Sequence, residues 1–106
     1  MDLYPRLYDL IAIIPAGSIA SYGQVANAAG LARGARVVGW ALGALPDNSG
    51  LPWQRVVAKG GRLSIVNAHV TPDIQRQALA EEGIECEERD GDFYVLSPSW
   101  HDFDLT

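Results

Sequence analysis

Between Ser21 and Pro46 the chain reads "SYGQVANAAG", then "LARG", then "ARVVGWALGALP". Both flanking stretches carry helix signals, and both are shorter than or close to the roughly 12–15 residues that an isolated helix needs in water. A four-residue connection therefore forces them to pack against each other. In the first, Ser21 followed three residues later by Gln24 is a capping-box pair, and Gly30 is a C-terminal stop. In the second, Val37, Val38, Ala41, Leu42 and Leu45 recur at helical spacing until Pro46 ends the run. Two short helices around a tight glycine-containing turn predict a helix-turn-helix. A helix over Asp2 to Ile14 precedes it, with Leu3, Leu7, Leu10, Ile11 and Ile14 on one face, Pro5 in the first turn and "IPAG" as its end.

From Arg55 the pattern changes period. "RVVAKGGRLSI" is two β-branched runs around Lys59-Gly60-Gly61 and predicts a hairpin beside the helix pair, in the position of a wing. Thr71 caps a further helix, "PDIQRQALAEEG", with Pro72 at its first position and Gly83 as its stop. "IECEE" and "FYVL" flank the turn "RDGD" as a second hairpin. The predicted fold class is α/β: a mainly helical, winged helix-turn-helix-like domain with short hairpins. The 106 residues form one domain, and residues 97–106 are an acidic tail without a predicted structure.

Charge is distributed unevenly. The formal net charge is -5, which argues against nucleic acid. Residues 33 to 62, however, hold Arg33, Arg36, Arg55, Lys59 and Arg62 against Asp47 alone. A basic middle inside an acidic chain can still attract phosphate over a Debye length of about 8 Å. No apolar run reaches the roughly 20 residues that span a bilayer, and "MDLYPRLYDL" carries acids where a secretory signal carries bases. No membrane association and a cytoplasmic location are expected. The single cysteine, Cys86, lies among acids that oppose a thiolate, and is read as an inert strand residue.

"IPAGSIASYGQVANAAG", "ARVVGWALGALP", "LPWQRVV" and "GGRLS" together resemble, in order and spacing, the DNA-binding domain of the guanine O6-alkyl DNA alkyltransferases. The similarity is closer to their non-catalytic relatives, the alkyltransferase-like proteins, and covers about residues 8–96. In the true transferases a Pro-Cys-His-Arg segment supplies a thiolate nucleophile and the histidine that takes its proton. Here Trp53 occupies the cysteine position and Gln54 the histidine position. An indole accepts no alkyl group at neutral pH and an amide is not a base, so no catalytic residue and no enzyme activity are expected.

The resemblance also implies a binding mode. The second helix would dock in the minor groove while the damaged nucleotide is flipped into a pocket. It assigns Arg36 as the finger that fills the vacated stack, suited by its planar, permanently charged guanidinium. It assigns Tyr22 to the phosphate beside the flipped nucleotide. Ala35, Gly39 and Gly43 would let the helix backbone approach a groove about 6 Å wide, although from the residues alone small side chains serve close helix packing equally well. The lesion pocket would comprise Tyr22, Pro52, Trp53, Gln54, Arg55 and Val66, with Trp53 as a wall. Arg55 has a second reading, as a tie between its loop and nearby carboxylates or carbonyls. Trp40 is read as packing or partner-facing.

One departure concerns Val66, which falls where close relatives carry an arginine that stacks on the flipped base; a cation-π contribution of about 0.5–2 kcal/mol would be missing. The implied function is binding of duplex DNA containing O6-alkylguanine without removal of the alkyl group, followed by transfer of the complex to nucleotide excision repair proteins. No metal or cofactor is implied, and a monomer is expected. The alternative is a winged-helix regulator that reads ordinary duplex DNA.

Overall fold

The computed structural model describes residues 3–46, 49–65 and 70–103. The leading amphipathic segment forms α1 (Leu3–Ala12), with Leu7, Leu10 and Ile11 buried. A two-residue strand β1 (Ala20–Ser21) leads directly into α2 (Tyr22–Ala28), and α3 (Ala35–Gly43) follows. The capping box is complete: the Gln24 amide N–H donates to Ser21 Oγ at 3.0 Å, and the Ser21 N–H donates to Gln24 Oε1 at 2.8 Å.

The α2–α3 turn is built by a backbone that only a glycine takes up cheaply. Gly30 has φ +80°; its N–H donates to the Asn27 carbonyl at 3.0 Å, and that of Leu31 to the Ala26 carbonyl at 2.9 Å. This is a Schellman ending, which satisfies carbonyls the helix would otherwise leave orphaned. Gly34 then passes so close to α2 that a Cβ there would lie 2.6 Å from Leu31 Cβ. The two helices pack together as a helix-turn-helix with α1 across them, and the Tyr8 hydroxyl donates to the Ala41 carbonyl at 2.7 Å, tying α1 to α3.

Beyond α3, a 3-10 turn (Trp53–Arg55) precedes strand β2 (Val56–Val57). β2 pairs in parallel with β1, Ala20 opposite Val56 and Ser21 opposite Val57. Ser21 thus caps α2 and joins a ladder at once, which fixes Tyr22 at the first position of its helix. The predicted hairpin around Lys59-Gly60-Gly61 is corrected here. A 3-10 turn (Lys59–Gly61) does reverse the chain, and the Ala58 N–H donates to the Arg62 carbonyl at 2.8 Å. The returning segment then leaves β2: Arg62 bridges Tyr94 in antiparallel fashion and the Leu63 N–H donates to the Phe93 carbonyl at 2.9 Å. The sequence showed two β-branched runs around a turn, but the partner of the second run was decided by tertiary packing.

Helix α4 (Pro72–Ala80) starts from Thr71, whose side chain accepts from the Ile74 N–H. Strands β3 (Cys86–Arg89) and β4 (Asp92–Val95) form the second predicted hairpin, turned at Asp90 and Gly91 in the left-handed region. Residues of the tail fold back onto the domain. The Ile19 N–H donates to the Ser99 carbonyl at 2.9 Å and the His101 N–H to the Ile19 carbonyl at 2.7 Å. Phe103 is buried with α1, α2 and α3. A second apolar cluster, Ile19, Val57, Leu63, Leu79 and Val95, lies under α4 and the hairpin. Burying each of these side chains stabilises the fold by roughly 1.5–3 kcal/mol. Among the described residues, no helix is long and apolar enough to cross a membrane.

Candidate nucleic-acid interface

Helix α3 has two faces of opposite character. Val38, Ala41 and Leu42 are buried against the core, while Ala35, Arg36, Gly39, Trp40 and Gly43 face outward beside an open cavity of about 420 Å³. Tyr22 from α2 and Ser64 and Ile65 from the segment after Leu63 line its other side. Tyr22, Ala35, Arg36, Gly39 and Gly43, five residues separated by up to 21 positions of sequence, therefore line a single hollow. A Cβ built on Gly39 or Gly43 meets nothing within 4 Å. Neither glycine is needed for helix packing; what their lack of a side chain leaves open is the approach to α3 from solvent.

Tyr22 is half-buried, and its hydroxyl oxygen accepts from Ser64 Oγ at 3.1 Å. Burial pushes the phenol above its usual 10.0, against the opposing pull of the Ser64 hydrogen bond and the Arg62 charge. The phenol is thus protonated at neutral pH, and with one lone pair engaged by Ser64 its own proton is available to an acceptor arriving in the cavity. Arg36 is exposed and makes no ion pair with another described residue. It is a free, permanently charged donor at the start of α3.

The Pro52–Arg55 segment is pinned from behind. Gln54 Nε2 donates to Glu82 Oε2 at 2.6 Å, and Arg55 Nε to Glu82 Oε1 at 2.9 Å. The Gly17 N–H reaches the same Oε1 at 3.1 Å, and Arg55 Nη1 donates to the Ile14 carbonyl at 2.7 Å. The fully buried Gln75 donates through Nε2 to the Gln54 and Val56 carbonyls at 3.1 and 2.9 Å, while its Oε1 has no partner. Burial acts to raise the Glu82 carboxyl, but donation from Arg55, Gln54 and Gly17 outweighs it and holds the group below the ordinary carboxylate value. Arg55 is therefore occupied as a tie to a carboxylate and a carbonyl. Trp53 is half-buried and packs on the same core as Tyr22. Neither it nor Pro52, Gln54 or Arg55 is among the residues lining the cavity beside α3. Val66, with Asn67 and His69, lies outside the described residues.

Sequence reasoning passed over Ser64, Gln75 and Glu82, and read Trp40 as packing or partner-facing without placing it at the site. Ser64 sat within the quoted "GGRLS" motif. Gln75 and Glu82 are seven residues apart, a two-turn spacing on one side of α4 and its continuation, but nothing in the sequence named their partner. Among the described residues, no group of three or more His, Cys, Asp or Glu side chains is placed to hold a metal ion. Cys86 is on β3, outside the cavity lining, and burial pushes its thiol up despite the nearby Arg76 charge.

Residues 2–84 match the family described as the 6-O-methylguanine DNA methyltransferase, DNA binding domain. A DNA base-flipping protein of Escherichia coli is 45% identical over 86 residues, covering 78% of this chain. The chain spans 64% of the length of that relative. Alkyltransferase-like protein 1 of Schizosaccharomyces pombe is 33% identical over 84 residues, covering 79% of this chain and 78% of the relative. Among solved structures, S. pombe Atl1 in complex with damaged DNA containing O6-carboxymethylguanine superimposes with a TM-score of 0.84 at 30% identity, covering 94% of this chain and 95% of that one. Mycobacterium tuberculosis OGT in complex with DNA gives 0.67 at 28% identity, covering 78% of this chain and 49% of that one. The shared motifs, the fold and these matches place the chain in the 6-O-methylguanine DNA methyltransferase DNA-binding-domain family, as an alkyltransferase-like protein.

Proposed function

We propose that this protein binds duplex DNA containing O6-alkylguanine, turns the damaged nucleotide out of the helix and holds it without removing the alkyl group. The observation that carries this reading is the convergence of Arg36, the glycine-opened face of α3 and the protonated Tyr22 hydroxyl on one cavity. A helix backbone left bare at Gly39 and Gly43 suits a minor groove about 6 Å wide. Arg36 enters the stack and replaces the lost base, Tyr22 donates to the adjacent phosphate, and the lesion is received on the Trp53 side. Extrusion costs a few kcal/mol and is cheapest for a poorly paired base, so an alkylated guanine is favoured over a normal one. The relatives named for base flipping and for binding damaged DNA support the same reading.

Trp53 and Gln54 stand where transfer would need a nucleophile and its base, and Cys86 is held as a thiol by burial. The bound lesion is therefore retained, and the distorted duplex is passed to nucleotide excision repair proteins. The test is a competition between matched oligonucleotides with and without the alkyl group at fixed salt, with intact-mass measurement of the protein afterwards. Preference for the alkylated duplex with unchanged protein mass is expected. Equal binding would favour a regulator of ordinary duplex DNA, and a mass gain equal to the alkyl group would make the protein a transferase.

A further inference from the structure

Trp40 is 59% exposed, more than Trp100 at 40%, although it sits in the middle of an ordered helix whose opposite face supplies the core. It lines the same cavity as Tyr22, Arg36 and Ser64. Neither packing nor helix propensity requires an indole there, and an indole beside an open cavity, with an apolar body and an N–H at its edge, is the kind of side chain that binding surfaces use. The flanking glycines contribute no side chain, so the ring projects from an otherwise bare surface. Arg36 is the one cation among the described residues lining this cavity, in a chain of net charge -5. Charge from Arg36 and from Arg62, which acts on Tyr22, is a screened part of any grip on a polyanion, and an apolar contact would add to it.

We infer that Trp40 is a second DNA contact, laying its indole against the deoxyribose wall of the minor groove and supplying a share of affinity that salt does not screen. The inference rests on the reading that α3 enters that groove. Trp40 follows Arg36 by four residues, about 6 Å along the helix axis, so the indole meets the duplex roughly two base steps from the gap that Arg36 fills, given about 3.4 Å per step. At that distance it touches undamaged nucleotides, and its contribution is the same whether or not the lesion is present. Burial of apolar ring surface against sugar C–H groups is the source of the affinity, with the indole N–H free to donate to a groove acceptor.

The experiment measures affinity for an O6-methylguanine duplex and its unmodified twin across a salt series, for wild type, Trp40→Ala, Trp40→Phe and Trp100→Ala, with melting temperatures for each. Trp40→Ala is expected to lose about tenfold on both duplexes, with the slope of log affinity against log salt unchanged. Trp40→Phe restores most of the loss, and Trp100→Ala binds as wild type. Unchanged binding by Trp40→Ala overturns the inference, and so does a loss confined to the alkylated duplex, which would place the indole at the lesion. Should wild type bind both duplexes equally, the damage reading fails, while the contribution of Trp40 is still read from the unmodified duplex.

Discussion

Ser64 Oγ donates to the Tyr22 hydroxyl at 3.1 Å, joining the first residue of α2 to the segment that crosses beside α3. The bond orients the phenol and leaves its proton free for an acceptor, which on the proposed reading is a phosphate oxygen. Tyr22→Phe keeps the ring and its packing but removes that donor, and is expected to weaken binding of an alkylated duplex about five- to tenfold, the size of a charge-assisted hydrogen bond partly replaced by water. Ser64→Ala should cost less, since it frees the hydroxyl without removing it. Because burial raises the phenol above 10.0, Tyr22 brings no pH dependence to binding between about pH 6 and 9, where an ordinary phenol is already protonated. Titration by fluorescence anisotropy at several pH values checks all three.

Arg36 has no ion pair among the described residues, so replacing it breaks none there and reports on the proposed contact with DNA. Arg36→Ala is expected to leave the unfolding free energy within about 0.5 kcal/mol of wild type and to weaken binding at least about tenfold. Any share of Arg36's contribution that comes from phosphate rather than from the stack appears as a decrease of up to about 0.9 in the salt slope.

Gly39 and Gly34 separate the demands of binding from those of folding. A methyl on Gly39 meets nothing within 4 Å, so Gly39→Ala should stabilise α3 by about 0.5–1 kcal/mol through helix propensity alone. On the proposed docking of α3 the same methyl stands in the path of the groove wall, and Gly39→Leu should abolish tight binding in a fully folded protein. Gly34→Ala does the reverse: its Cβ would lie 2.6 Å from Leu31 Cβ and 3.3 Å from Ala26 Cβ, costing about 1–3 kcal/mol by overpacking. Thermal melts beside binding curves distinguish the two. Gly39→Leu binding like wild type would remove α3 from the interface.

Glu82 gathers Gly17, Gln54 and Arg55, with its side chain 11% exposed. Its carboxyl is held below the usual 4.5. A depressed folded-state value means that its stabilisation is complete above the unfolded value and is lost as pH falls through the folded one. Glu82→Gln is expected to lower stability by about 1–3 kcal/mol at pH 7, with the difference from wild type closing as pH falls below about 4. A gap that persists unchanged to pH 3 would assign the loss to packing instead.

The elements legible in the sequence were those fixed by local chemistry. Ser21 with Gln24, Gly30, Pro46, Thr71 with Pro72, and Asp90-Gly91 each act within one helical turn or one reversal, and each marks an observed boundary. The β1–β2 ladder was not legible, because two residues a side carry no alternation and their pairing is set by the packing of α2 against the segment after Trp53. The tail was not legible either: "SPSWHDFDLT" has no period, yet Ser99 and His101 pair with Ile19 and Phe103 enters the core. Within the site, the motifs named Tyr22, Arg36 and the glycines, and these share a cavity. The supports did not show, since Glu82 and Gln75 act across 19 to 65 residues on a backbone whose path no motif describes.

Eversion of the alkylated nucleotide is tested most directly from the opposite strand. A fluorescent cytosine analogue placed across from O6-methylguanine is dim while stacked and brightens when its partner is removed. Saturating protein is expected to brighten it, with a much smaller change on an unmodified duplex and loss of the specific signal in Arg36→Ala. Saturated binding to the alkylated duplex with no change in that fluorescence would contradict a protein that flips the lesion.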